Sequence, residues 1–213
     1  MPEKKKRRLY GNKTKGGLSS SIRERRIVIS GIISNATMIF CESALKKFAK
    51  EGVKKPIVVF VTGPGGDFYA CLRIYHLLCS WSILHAPVFT VGFGNFARSG
   101  AFLITQAGFV RLVSSKTALR FHRATRDYPE GVTFNSKRHM EEKDLLDIID
   151  GTQCHIFSCR GRPASKIYEL FIREKNLSAK QALNLYLVDM VLKGTSIASL
   201  QSQISQIMKE VNG

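Results

Sequence analysis

The sequence predicts an α/β protein with mostly parallel strands, and two observations lead to this fold class. Short segments rich in β-branched residues alternate along the chain with longer segments in which apolar residues recur at helical spacing. One short segment, PIVVFV at 56–61, is apolar throughout, which is typical of a strand covered on both faces. A chain of 213 residues has the length of one domain, which we assign to residues 21–213.

The first half of the chain has three expected strands, each followed by a helix. The strands are expected where β-branched and apolar residues cluster, at 25–31, 56–61 and 87–92. The first helix is expected at 36–50 with Asn35 as its cap, because its apolar residues fall on one helical face. A second helix follows the segment TGPGG, and a third begins near Ser99.

The second half of the chain has three further expected strands and three further helices. The strands are expected at 110–113, 118–122 and 187–192. A long helix is expected at 136–157, where apolar residues again recur at helical spacing. Ser178 and Gln181 form a capping box before another helix, and an amphipathic helix is expected at 197–211.

The chain carries a net charge of +17, and nearly half of it lies near the N-terminus. Residues 1–26 contain ten Lys or Arg residues against two Glu residues. We expect residues 1–20 to form a disordered, basic, solubilising tail, with an anionic partner or a nuclear-targeting patch as the alternative. Only Tyr10 interleaves these basic residues, so we expect no nucleic-acid binding beyond non-specific contacts of the tail.

The composition also limits where the protein works. Hydrophobic residues make up 44% and charged residues 23% of the chain, and no apolar run reaches the roughly 20 residues that span a bilayer. The N-terminal segment lacks the apolar stretch of a secretory signal. Five cysteines without paired spacing suit a reducing compartment. We therefore expect a cytoplasmic protein without a membrane partner.

Two junctions between a strand and a helix contain residues that could carry chemistry. In TGPGGDFYA, the side-chain-free Gly65 and Gly66 allow another backbone to come close, and their NH groups could stabilise an anion. A tight turn alone would also explain them. Ser99 stands at a similar junction among small residues, where it could be a nucleophile or a simple helix cap.

Two further residues could assist such a serine. His122 ends the strand segment ALRF, and a neutral imidazole there could accept the serine proton. Glu174 could orient that imidazole through its other ring nitrogen. A structural histidine and a solvated carboxylate are the ordinary alternatives at these positions, so each residue taken singly leaves its role open.

Taken in order, five segments resemble the proteolytic subunit of the Clp protease (ClpP), a member of the crotonase-fold group. They read IRERRIVISG, TGPGGDFYACLRIYHLL, ARSGAFLITQAG, KTALRFH and NLSAKQALNLYLVD, and the similarity covers about residues 23–192. The resemblance implies a spiral of β-β-α units, with a mostly parallel sheet flanked by helices and a protruding handle helix at 136–157. It also implies a serine endopeptidase that cuts unfolded polypeptides inside a homo- or hetero-oligomeric ring. An ATP-driven AAA+ unfoldase would feed that ring, and no metal or organic cofactor is needed.

The same resemblance assigns the site residues. Ser99 is expected to be the nucleophile, His122 the general base and then acid, and Glu174 the group that holds His122. The backbone NH groups of Gly66 and Gly100 are expected to bind the oxyanion. Glu174 replaces the aspartate that is usual in the family and is longer by one methylene.

One alignment detail decides between an active and an inactive subunit. The family usually reads Ala-Ser-Met-Gly-Ala where this chain reads Ala-Arg-Ser-Gly-Ala at 97–101. Matching the Gly-Ala pair puts Arg98 at the nucleophile position and implies an inactive ring subunit with a structural or docking role. Matching backward from Ala107 and Gly108 puts Ser99 there with one extra residue before it. We favour Ser99, because a guanidinium without a carboxylate partner is costly to bury in a cleft. A crotonase-like enzyme acting on acyl thioesters, which shares the Gly-Gly loop, is a third reading.

Overall fold

The computed structural model describes residues 25–212 except positions 53, 129 and 162, and at 211 and 212 it describes the backbone only. The tail expected at residues 1–20 and the first residues of the expected domain lie outside this range. The described strands are β1 Arg26–Ile33, β2 Ile57–Gly66, β3 Val88–Arg98, β4 Val110–Ser114, β5 Ala118–Arg120, β6 Asn176–Leu177 and β7 Met190–Leu192. The described helices are α1 Asn35–Lys50, α2 Phe68–Leu84, α3 Gly100–Thr105, α4 Ser136–Ser158, α5 Ala164–Ile172, α6 Ala179–Asn184 and α7 Ile197–Asn212.

The seven strands form one sheet in which nearly all neighbours are parallel. The main path runs β1-β2-β3-β4-β7, with parallel pairing at every step. β5 pairs in parallel with the end of β3, and the two-residue β6 pairs with β5 in the antiparallel direction. The α/β fold class expected from the sequence, with a mostly parallel sheet flanked by helices, is confirmed.

Helices cover both faces of the sheet, and the sequence of β2 reflects this. Every second residue from Ile57 to Val61 belongs to a large core cluster that includes residues of α1 to α6. The residues between them, Val58 and Phe60, belong to a second cluster that contains Leu200 of α7. The segment PIVVFV is apolar throughout because it is buried on both faces, as predicted.

The ladder between β2 and β3 is interrupted towards the ends of both strands. Val61 pairs with Gly92, whereas Gly63 pairs with Ala97. Residues 93–96 of β3 therefore lie opposite a single residue of β2. β3 resumes its pairing after this interruption and then ends at the junction with α3.

The first part of α4 lies outside the core, as predicted for the handle helix. The helix begins after Asn135, whose side chain accepts a hydrogen bond from the Arg138 NH at 2.9 Å. Its buried residues occur only from Ile149 onward, so its earlier turns project from the body. Neither α4 nor another helix of the described chain is long and apolar enough to span a membrane.

The structure corrects two expectations about individual elements and adds two elements. α1 is capped by Ser34 and not by Asn35, because Asn35 is already its first residue. The last strand begins at Met190 and not at 187, because the Leu187 NH donates to the Ala182 carbonyl oxygen at 2.9 Å and so closes the turn after α6. α5 and β6 are not expected from the sequence. α5 starts without a side-chain cap, and β6 has only two residues.

Candidate active site

β2 ends at Gly65 and Gly66, where the absence of side chains has a steric reason. Gly66 pairs with Ile33 of β1, and a Cβ added to Gly66 would lie 2.1 Å from the Ile33 carbonyl oxygen. The φ angles of Gly65 and Gly66 are 104° and 153°, a range that residues with a Cβ rarely adopt. Only glycine therefore fits this segment, which we call the Gly65-Gly66 loop.

Ser99 lies at the junction between β3 and α3 in a strained backbone conformation. Its φ and ψ angles are 51° and −128°, and such sparsely populated conformations are concentrated at functional sites. The Ser99 NH donates to the Arg120 carbonyl oxygen at 2.7 Å, and the Leu103 NH donates to the Ser99 carbonyl oxygen at 3.0 Å. The Ser99 side chain makes no capping hydrogen bond to α3, so the role of a simple cap does not describe it.

The two glycine-containing junctions are in direct contact. A Cβ added to Gly65 would lie 2.7 Å from the Ser99 Cβ and 2.8 Å from the Gly100 nitrogen. A Cβ added to Gly100 would lie 2.2 Å from the Sγ of Cys71 in α2. The Gly65-Gly66 loop thus packs against the start of α3, and this close approach depends on glycine on both sides.

Four of the five residues predicted for the site surround one cavity. The cavity has a volume of about 550 Å³, and its lining includes Gly66, Ser99, Gly100 and His122. They come from three separate parts of the chain, at the ends of β2, β3 and β5. The fold therefore brings together the candidate nucleophile, the candidate base and both candidate oxyanion donors.

The neighbouring Arg98 does not line this cavity. Its guanidinium carbon lies over the ring of Phe96, 4.6 Å from the ring centre, so the side chain runs back along β3. Ala97 on the other face of β3 is fully buried. The positive φ of Ser99 then turns the chain into α3. Position 99, and not position 98, is the one that faces the cavity.

The remaining wall of the cavity combines an apolar side with a polar mouth. α4 contributes Leu145, Leu146 and Ile149. Asp67 lines the cavity at the start of α2, where its carboxylate accepts a hydrogen bond from the Ala70 NH at 2.7 Å. The segment 124–127 adds polar and charged residues, and Phe68, Tyr69 and Gln153 complete the lining. The cavity can accept an apolar side chain on one side and peptide groups on the other.

His122 is partly exposed and lies just beyond β5. Its Nδ1 is 2.7 Å from the Arg123 carbonyl oxygen. A carbonyl oxygen only accepts hydrogen bonds, so Nδ1 carries the proton in this contact. In a neutral imidazole, Nε2 is then unprotonated and can accept a proton from a neighbouring hydroxyl.

Glu174 lies beside the correct strand, but its carboxylate binds a different side chain. β6 pairs with β5 so that Asn176 is the partner of Arg120, and Glu174 lies two residues before Asn176, in the turn that follows α5. The Glu174 carboxylate instead accepts a hydrogen bond from Nη2 of Arg120 at 2.8 Å. The predicted contact between Glu174 and His122 is therefore not made, because Arg120 binds the carboxylate of Glu174 instead.

A thiol also lies at the site, next to the start of α3. Burial raises the pKa of Cys71 to about 12, so this thiol stays protonated near neutral pH and is a poor nucleophile. Ser99 is therefore the nucleophile candidate at the cavity. The described part of the chain holds no group of three or more His, Cys, Asp or Glu side chains arranged for a metal ion.

Two contacts at the site are not expected from the sequence. Arg120 stands two positions before His122, and alternate residues of a strand point to the same face, so this spacing could have drawn attention to it. The contact between His122 and the Arg123 carbonyl oxygen involves a backbone atom. No residue type signals such a contact in advance.

Comparison with known proteins identifies the class to which this fold and site belong. The family model of the Clp protease matches residues 11–195. The chain belongs to the Clp protease family, and the resemblance seen in the sequence is confirmed.

Individual relatives support this assignment at low identity. The chain is 24% identical over 210 residues to the ATP-dependent Clp protease proteolytic subunit 4, chloroplastic, of Arabidopsis thaliana. The aligned region covers 91% of this chain and 68% of that protein. The chain is 29% identical over 189 residues to the chloroplastic subunit 6 of the same plant, with coverages of 84% and 66%. It is 31% identical over 148 residues to the proteolytic subunit 2 of Prochlorococcus marinus, with coverages of 68% and 70%.

Proposed function

We propose that this chain is a serine endopeptidase subunit that cuts unfolded polypeptides. The observation that carries the proposal is the lining of the 550 Å³ cavity, which includes Ser99 and His122 but not Arg98. Membership of the Clp protease family supports the same reaction class. The pairing of β3 with β2 is interrupted at residues 93–96. This interruption can accommodate the one extra residue that is needed when Ser99 is aligned with the nucleophile position.

In the proposed reaction, the Ser99 hydroxyl attacks the carbonyl carbon of the scissile peptide bond. Nε2 of His122 takes the hydroxyl proton and later delivers it to the leaving amine. The Arg123 carbonyl oxygen, which contacts Nδ1 of His122 at 2.7 Å, favours the tautomer that leaves Nε2 free to act as a base. The strained backbone at Ser99 fixes the position from which its side chain enters the cavity.

The oxyanion that forms on the attacked carbonyl would be stabilised by the NH groups of Gly66 and Gly100. These residues belong to segments that are in direct contact, since the Gly65-Gly66 loop packs against the start of α3. The first NH groups of a helix have no partner within it, so Gly100 can donate outward. Loss of one such donor typically lowers the turnover rate by about 10²- to 10³-fold.

We further propose that the chain acts within a homo- or hetero-oligomeric ring and receives its substrates from an ATP-driven unfoldase. The sequence has no Gly-rich phosphate-binding loop ending in Lys and Ser or Thr, so ATP hydrolysis would come from such a partner. The cytoplasmic location expected from the sequence stays a prediction.

The first test is labelling of the full-length chain with a fluorophosphonate, which forms an adduct with an activated serine. We expect an adduct on Ser99 that Ser99→Ala abolishes, because Ser99 is the one serine in the described lining of the cavity, which it shares with His122. Ser80→Ala serves as the matched control, since Ser80 is an exposed serine of α2 that does not line the cavity. An adduct that persists in Ser99→Ala would contradict the assignment.

A non-catalytic ring subunit is the second candidate, and a specific observation favours it. Glu174 is bound to Arg120, so the contact that would complete a Ser-His-Glu triad is not made. In that case the assembled particle carries the fold and His122 but takes no fluorophosphonate. Clean absence of label in an assembled ring, measured by intact-mass spectrometry, would establish this alternative.

A further inference from the structure

We propose that Arg120 and His122 compete for Glu174, and that the ion pair between Arg120 and Glu174 holds the site in an idle arrangement. Its effect on peptide cleavage rests on the function proposed above, whereas the competition itself is a geometric statement that can be tested without activity. Glu174 is then a positioning residue that acts through His122, and the ion pair with Arg120 keeps the Glu174 carboxylate away from His122.

The first step of the argument is the register of β5 and β6. Leu119 pairs with Leu177 and Arg120 with Asn176, so the two strands run in opposite directions. Beyond these two pairs, Glu174 lies in the turn after α5 with a φ of 46°, and His122 lies two residues past the end of β5. Both residues therefore leave the strand pair at the same end.

The second step concerns the side chains on this face of the sheet. Arg120 ends β5 and His122 lies two positions beyond it, but burial still alternates there, since Leu119 and Phe121 are buried while Arg120 and His122 are partly exposed. The side chains of Arg120 and His122 therefore point away from the core on the same side. The carboxylate of Glu174 can therefore reach either one by rotation of its own side chain. In the structure it is 2.8 Å from Nη2 of Arg120, while Nδ1 of His122 uses the Arg123 carbonyl oxygen as a substitute acceptor.

The third step is the local charge. Arg98 is the cross-strand partner of Arg120, so two guanidinium groups start from neighbouring positions on one face. The Glu174 carboxylate binds Arg120, whereas Arg98 stacks on Phe96 and forms no ion pair with another described residue. The surplus positive charge favours keeping the carboxylate of Glu174 on the side of Arg120.

The fourth step is that the ion pair can be exchanged. The side chains of Arg120 and Glu174 remain 32% and 39% exposed, and ion pairs that are open to solvent are weak. A carboxylate on Nδ1 would replace a neutral acceptor by a charged one, which makes a stronger hydrogen bond and stabilises the imidazolium formed during catalysis.

The test compares the full-length chain with Arg120→Gln, which removes the competing charge. Crystal structures of both should show the Glu174 carboxylate on Arg120 in the unaltered chain and within about 3 Å of Nδ1 of His122 in the variant. The fluorophosphonate labelling rate of Ser99 should rise roughly tenfold, the change produced when a charged acceptor replaces a neutral one.

Four further variants make the result specific. Arg120→Lys keeps the charge and should leave Glu174 on residue 120 without a gain in labelling rate. Lys46→Gln is the control, because it removes one positive charge from a surface ion pair of 2.8 Å with Glu42 on α1. Glu174→Gln combined with Arg120→Gln should lose the gain, and Arg120→Leu replaces Arg120→Gln if glutamine impairs folding.

The outcomes separate this inference from the proposed function. If Glu174 stays away from His122 in both Arg120→Gln and Arg120→Leu, the competition is overturned. If Glu174 moves to His122 but neither the chain nor the variants label at Ser99, the competition stands and the peptidase assignment fails. A labelling rate that rises equally in Lys46→Gln would show a general charge effect and would also overturn the inference.

Discussion

At the scale of single residues, the site depends on the glycines as much as on the groups that would do chemistry. Ser99 faces the cavity because its backbone adopts an unusual conformation, and the Gly65-Gly66 loop can pack against it only without side chains. Gly100 must also lack a side chain, because the Sγ of Cys71 lies where its Cβ would be placed. A small change at Gly100 should therefore affect both folding and labelling.

Gly100→Ala should destabilise the chain by about 1–3 kcal/mol, the usual cost of overpacking. The added Cβ would lie 2.2 Å from the Sγ of Cys71, so α3 must shift and Ser99 must move with it. Urea unfolding measures the loss, and the rate of fluorophosphonate labelling should fall in parallel. Cys71→Ala in the same chain should recover part of the stability, because it removes the nearest atom.

Gly151→Ala is the matched control for this substitution. Gly151 is an exposed residue within α4, and a Cβ added there would meet nothing within 4 Å. Alanine should stabilise the chain at this position by about 0.5–1 kcal/mol through its higher helix propensity. Equal effects of Gly100→Ala and Gly151→Ala would contradict the packing argument.

At the scale of elements, a buried arginine connects β4 to the turn before β7. Arg111 binds both carboxylate oxygens of Asp189, with its Nη2 at 2.7 Å from Oδ1 and its Nε at 3.2 Å from Oδ2. The same guanidinium contacts the Gln106 side chain and the Tyr186 carbonyl oxygen. Because Arg111 is only 2% exposed, its charge needs these partners, and the two elements depend on one another.

Asp189→Asn should lower the free energy of unfolding by roughly 2 kcal/mol at neutral pH, less than for a fully buried pair because Asp189 is partly exposed. Burial alone would raise the pKa of Asp189, but hydrogen bonds from Arg111 and the charges of Arg111 and Arg160 outweigh it and lower the pKa below 3.8. Because the pKa of Asp189 is lower in the folded than in the unfolded state, the ionised carboxylate stabilises the fold above the unfolded-state pKa. This stability is lost as the pH falls through the folded-state pKa.

The stability difference between the chain and Asp189→Asn should therefore be constant above about pH 5 and shrink as the pH falls below about 4. Urea unfolding at several pH values measures this difference. Asp144→Asn, at an exposed position of α4, should change stability by less than about 0.5 kcal/mol. A difference for Asp189→Asn that does not vary with pH would rule out the ionised pair as its source.

The sequence predicts those elements whose signal is local. β2 is recognisable because burial on both faces leaves it apolar throughout, and α6 because Ser178 and Gln181 form the predicted capping box. β6 is too short for any period to appear, and it exists because β5 offers a free edge. The partner of Glu174 is equally non-local, since only the pairing of β5 with β6 brings Arg120 within reach.

At the scale of the whole molecule, the sheet separates two cores with different roles. The cluster on one face contains residues of α2 and α3, the helices that position the candidate site. The cluster on the other face is closed by Leu200 and Ile204 of α7. We therefore expect substitutions under α7 to change stability without changing the geometry at Ser99.

Leu200→Ala should destabilise the chain by about 2–5 kcal/mol, because Leu200 is fully buried and its loss leaves a cavity. The labelling rate of Ser99 per folded molecule should stay within about twofold of the unaltered chain, since the two clusters lie on opposite faces. Thermal unfolding and labelling below the transition measure the two effects. Ser205→Ala, on an exposed position of α7, should change neither quantity, and a large drop in labelling for folded Leu200→Ala would contradict this separation.

The interruption of β3 at 93–96 has a consequence for how such a site can diverge between related chains. A strand that is paired along its whole length cannot gain a residue without turning every following side chain to the opposite face. Here the interruption of the ladder with β2 lies a few residues before Ser99, so a single insertion or deletion can be absorbed there while the strands on either side keep their alignment. The length of this interrupted segment can therefore decide whether arginine or serine faces the cavity, while the fold stays the same.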